Sequence, residues 1–162
     1  MIPPRITLVA SLTIGLLAVA ACDTAAVITK PVASTNANVA SIPLTTMAAL
    51  LSGASEVPPT RSTGTGVVQA TFDRQTRLLN WSITYSGLSG PATAAHFHGP
   101  AELGTNAPPV VPLSGSLESP IKGKAILTAA QVSDLIAGNW YLNLHTAANP
   151  GGEIRGQVTA KP

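Results

Sequence analysis

One cysteine, Cys22, is all the thiol chemistry available to this chain of 162 residues. A single thiol cannot close a disulfide within the chain, so hydrophobic packing must supply the stability that small exported domains often draw from cross-links. Charge is scarce too. Charged residues make up 10% of the sequence and are scattered along it, which excludes the basic stripe that a nucleic-acid partner requires. Aromatic residues (Phe72, Trp81, Tyr85, Phe97, Trp140, Tyr141) are too few for a broad sugar-stacking platform. Only Trp140 beside Tyr141 sets rings on both faces of one segment, where an exposed ring would stack on a glycan. Catalytic signatures are missing as well. No serine stands in a Gly-x-Ser-x-Gly setting, no carboxylates are paired for acid–base work, and no catalytic residue is assigned.

What is present begins with an apolar run from Ile6 to Ala20, behind a short start carrying Arg5. The run is shorter than the ~20 residues of a spanning helix and reads as a secretory signal. It ends in Val19-Ala20-Ala21-Cys22, which resembles the lipobox of bacterial lipoproteins, in which the cysteine is acylated and becomes the first residue. The expectation is a signal peptide over residues 1–21, lipidation at Cys22, and a protein exported and anchored to a bacterial membrane, facing the periplasm or the exterior. Each buried methylene adds ~0.8 kcal/mol, so a multiply acylated cysteine holds far more firmly than one chain. Asp23, next to the cysteine, resembles the inner-membrane retention signal of some Gram-negative bacteria. Residues 22–162 keep eight basic against seven acidic side chains, near neutrality.

Residues 22–42, rich in Ala, Thr, Ser, Asn, Val and Pro, show no period of two or 3.6 and read as a flexible tether. From residue 43 to residue 160 the pattern becomes short apolar runs separated by turn residues. Strands are expected at Thr45–Ser52, Gly66–Asp73, Leu78–Leu88, Ala92–His98, Pro109–Ser114, Lys122–Leu127, Trp140–His145 and Glu153–Thr159. One helix interrupts them. Thr128 with Gln131 forms a capping box, Leu127 and Val132 are placed as a staple, and Gly138 closes the far end. Val68, Ala70 and Phe72 alternate with Gln69, Thr71 and Asp73, giving each strand one dry and one wet side. The fold class is all-β: an antiparallel, Greek-key-like β-sandwich with one short helix.

All three histidines fall in two of these strands. His96 and His98, two apart, share a face, with Phe97 turned inward; Tyr141, Asn143 and His145 likewise share a face, with Leu142 and Leu144 inward. If the two strands are neighbours, three imidazoles converge on the outer side with Asn143 beside them. A His-x-His pair plus a third histidine holds copper or zinc, since neutral imidazole suits both. The same residues also fit hydrogen-bonded histidines beside a turn, with no cofactor. The His-x-His strand resembles copper-zinc superoxide dismutase in architecture, but three histidines are fewer than that enzyme uses for two metals, and its disulfide is missing.

Three blocks then carry a family resemblance: Ala49 to Pro59, Ala95-His96-Phe97-His98-Gly99-Pro100, and Gly138 to Thr146 leading to Asn149-Pro150-Gly151-Gly152-Glu153-Ile154-Arg155-Gly156. Together they resemble the CHRD domain, named after chordin, over about Thr46 to Ala160. The resemblance implies an extracellular β-sandwich module without an agreed enzymatic activity; for a module anchored to the envelope, the expected partner is an envelope protein or glycan. Glu56, Asn143, Glu153 and Arg155 are its motif residues outside the histidines. Glu56 precedes Val57-Pro58-Pro59, expected to end the first strand. Arg155 is expected to form an exposed pair with Glu56 or Glu153, or to join the histidine face and bind an anion.

Overall fold

The computed structural model of the protein describes residues 44–161. The signal segment, Cys22 and the 22–42 tether lie outside the described residues. Among the described residues, no helix is long and apolar enough to cross a membrane.

Among the described residues eight strands form: β1 (Thr45–Ser52), β2 (Thr65–Asp73), β3 (Leu78–Ser86), β4 (Ala92–His98), β5 (Pro109–Pro112), β6 (Ile121–Ile126), β7 (Trp140–Thr146) and β8 (Ile154–Ala160). A 3-10 turn (Gly53–Ser55) follows β1, and α1 (Ala129–Ile136) precedes β7. Strand positions agree with the alternation and the turn residues within about two residues at most ends. The helix agrees in detail. Thr128 Oγ1 accepts from Gln131 N–H, the Gln131 side chain accepts from Thr128 N–H, and Gly138 sits at φ +77° just past the end. One detail differs: β1 ends at Ser52 and not at the proline pair, because the 3-10 turn already breaks its ladder.

All ladders are antiparallel, in the order β5-β4-β7-β8-β1-β2-β3-β6. The continuous sheet rolls until its halves face each other, so the sandwich is nearly a barrel. Trp81 of β3 meets the Phe97 ring of β4 edge-on at 5.3 Å, although the two strands are far apart in the order. Met47, Leu51, Val68, Phe72, Leu79, Ile83, Phe97, Trp140, Leu142, Leu144, Ile154 and Val158 fill the space between the layers. Each such side chain contributes roughly 1.5–3 kcal/mol by leaving water. With no disulfide available, this core holds the fold.

The outer faces are not equivalent. On β2 and β3, Gln69 and Thr84 face solvent as expected. On β7 every residue is buried, the outward ones included. The expected wet face is therefore absent at β7, because three connections fold over it: residues 99–108, the turn after β1, and the β7–β8 turn. Trp140 and Tyr141 are both buried, so neither ring is exposed to stack on a glycan.

Candidate metal centre

Register builds the site. β4 pairs with β7, and β7 with β8, so His96, Asn143 and Arg155 form one row across three strands, and His98, Tyr141 and Gln157 form the next. His145 lies opposite Ala94, one step along β7 from the first row. The three histidines, read from the sequence as converging only if their strands adjoin, do converge. Each offers a ring nitrogen within 4.8 Å of the others. His96 Nδ1 lies 3.2 Å from His145 Nε2.

Hydrogen bonds fix which nitrogens face inward. His98 Nδ1–H donates to the Ala107 carbonyl at 2.8 Å, and His145 Nδ1–H donates to the Pro150 carbonyl at 2.9 Å. A carbonyl only accepts, so in each neutral ring the proton sits on Nδ1 and Nε2 keeps its lone pair. His98 Nε2 is buried and has no hydrogen-bond partner. His145 Nε2 also faces Asn143 Oδ1 at 3.0 Å, acceptor against acceptor. A cation in that space, proton or metal ion, turns the opposition into attraction. Burial, with the neighbouring histidines, lowers the pKa of both His96 and His98, so these rings stay neutral and able to ligate at neutral pH. Ligand atoms at ~2.0–2.1 Å from a tetrahedral ion stand about 3.3 Å apart, close to the 3.2 Å seen between His96 and His145.

The surroundings hold these rings in place. Tyr141 stacks on His98 (4.7 Å between centroids, 4° between planes), and the Arg155 guanidinium lies 3.3 Å over the same tyrosine. Arg155 donates to Asn106 Oδ1 and the Thr105 carbonyl, Gln157 to the Ala101 carbonyl, and Asn106 Nδ2 to the Val57 carbonyl. The 99–108 segment is thereby tied over the face, with Ala107 against His98. Glu153 pins the other side. Its carboxylate accepts from Ser62 Oγ, Ser89 N–H, Ser89 Oγ, Thr146 Oγ1 and Asn149 Nδ2, which hold its pKa at about 2 against the opposing effect of burial. The β7–β8 turn so fastened is the one that presents Pro150 to His145.

The exposed pair expected for Arg155 is corrected. Glu153 and Arg155 are both buried, so no exposed pair exists between them. Arg155 directs its hydrogen bonds to residues 105 and 106, on the loop tied over this face. Glu56 is buried with Oε1 unpartnered; desolvation outweighs the Arg155 charge and the Asn143 amide and raises its pKa to about 7. Both Glu56 Oε1 and Asn143 Nδ2 press on Gly152, where φ is +129° and a Cβ would collide with them. That crowding, and not only the turn, accounts for glycine at this position.

A family model of the CHRD domain matches residues 47–158. The chain belongs to the CHRD family. No curated protein and no solved structure matches it. The CHRD span contains the whole cluster: Glu56, His96, His98, Asn143, His145, Glu153 and Arg155. Sequence reasoning assigned no role to Tyr141 as the plate between His98 and Arg155, nor to the carbonyls of Ala107 and Pro150. The tyrosine was visible as sharing a face with Asn143 and His145. The carbonyls belong to loops without a period, and nothing in the sequence marks them.

Proposed function

We propose that this CHRD chain is a non-enzymatic envelope module that binds one copper or zinc ion through His96, His98 and His145, tethered to a bacterial membrane by acylated Cys22. The observation that carries the metal reading is the buried, unpartnered Nε2 of His98 beside the facing acceptors of His145 and Asn143. Buried polar atoms are almost always satisfied, and here one lone pair is left over where others converge. His96 Nδ1, His98 Nε2 and His145 Nε2 would be the donors, with the Ala107 and Pro150 carbonyls setting the tautomers. The CHRD family is one of non-catalytic modules, in keeping with the missing nucleophile and carboxylate pair.

Calorimetric titration of the purified protein with zinc and with copper tests the reading, beside a variant carrying His96→Ala and His98→Ala. One ion per chain, lost in the variant, is the expected result. No binding, or binding unchanged in the variant, overturns it. The anchor is tested separately by detergent phase partition. The native chain should enter the detergent phase and the Cys22→Ser chain should stay in the aqueous phase; equal partition contradicts the anchor.

A further inference from the structure

We infer that the ion this centre selects is monovalent copper, held more tightly than zinc or other dications. The inference rests on the three-histidine reading and adds to it the charge balance around the cluster. All three ligands are neutral, and among the described residues no carboxylate or thiolate joins the ligand atoms brought within 4.8 Å of one another. His98 and His145 are buried, so water screens the ion poorly. The desolvation cost of an ion grows with the square of its charge, so a dication needs anionic ligands here far more than a monocation does.

The fixed charges nearby sharpen the choice. Arg155 is fully buried and lies over one face of Tyr141 at 3.3 Å, while His98 stacks on the ring at 4.7 Å; two groups this close cannot share a face, so the ring is sandwiched between them. The guanidinium is thus about 8 Å from the His98 ring. Glu56 is the carboxylate facing Arg155, and at most it balances that cation. Glu153 is wholly engaged by serine, threonine and asparagine donors. Among the described residues no anion is thus placed as a ligand to offset a second positive charge on the ion directly. At an effective dielectric near 20, each further unit charge about 8 Å from Arg155 weakens binding on the order of 30-fold before any compensation. Copper(I), a closed-shell monocation content with three nitrogen donors, meets these conditions; zinc completes four ligands and carries the extra charge.

The test measures two affinities on the purified full chain and needs no variant. Copper(I), kept reduced with ascorbate without oxygen, is competed against bicinchoninate, and zinc is competed against a chromophoric chelator. Copper(I) should bind more tightly than zinc, by up to ~30-fold from this charge alone, and the loaded protein should have a reduction potential above that of aqueous copper. Zinc binding as tight as copper(I), or a potential below the aqueous couple, overturns the inference and leaves the histidine reading standing. Absence of binding by either ion overturns the histidine reading itself, and the inference with it.

Discussion

Replacing Glu56 with glutamine should stabilise the fold at pH 8 relative to the wild type and should have its smallest effect near pH 4. Burial lifts the Glu56 carboxyl from its ordinary 4.5 to about 7 in the folded chain, so the native state favours the protonated form. A group whose folded pKa lies above its unfolded value gives its full stabilisation below 4.5 and loses it as pH rises through 7. At ~1.36 kcal/mol for each pH unit between the two values, the loss is roughly 3 kcal/mol once the carboxyl is ionised in both states. Glutamine has no proton to lose. The stability of Glu56→Gln minus that of the wild type should therefore climb by up to about 3 kcal/mol between pH 4 and pH 8. Glu153 works in the opposite sense, since its folded pKa of about 2 gives stability that is present above 4.5 and lost as pH falls through 2. Present in both proteins, it cancels in the difference. Urea melts at half-unit pH steps, with chelator to keep the centre free of metal, measure it. A difference that stays flat from pH 4 to pH 8, or falls, would refute the account of Glu56 as a desolvated carboxyl.

Other expectations follow from single contacts. Gly156→Ala drives a Cβ into the Leu50 carbonyl across the β1–β8 ladder, and a loss of at least ~2 kcal/mol is expected in denaturant melts. Thr128→Ala removes the oxygen that accepts from Gln131 N–H and should cost about 1 kcal/mol in the same assay, with Thr128→Ser largely restoring it. Arg155→Met deletes the hydrogen bonds to Asn106 and Thr105, so amide exchange in residues 99–108 should accelerate while the β2–β3 ladder keeps its protection.

The strands were legible because their cause is local. Val68, Ala70 and Phe72 against Gln69, Thr71 and Asp73 is a period of two that only a half-buried strand satisfies, and the capping box at Thr128 names its own helix start. Pairing was not legible. Nothing in β3 says that it lies beside β6, or in β4 that it lies beside β7, yet the second pairing is what brings His96 and His98 to His145. The outer face of β7 misled for a related reason. Tyr141, Asn143 and His145 alternate with Trp140, Leu142 and Leu144 as a wet face should, but residues 99–108 cover them, and that cover has no period of its own. Arg155 was expected at the surface for the same cause. Its partners, Thr105 and Asn106, are some fifty positions away in sequence and meet it only once the sheet has formed.

The claim that three imidazoles form one ion site is tested most directly by diffraction from crystals grown with copper, collected on both sides of the copper absorption edge. A single anomalous peak should stand within about 2.0–2.2 Å of His96 Nδ1, His98 Nε2 and His145 Nε2. Crystals that carry copper elsewhere on the chain and leave the space between these nitrogens without anomalous signal would contradict it.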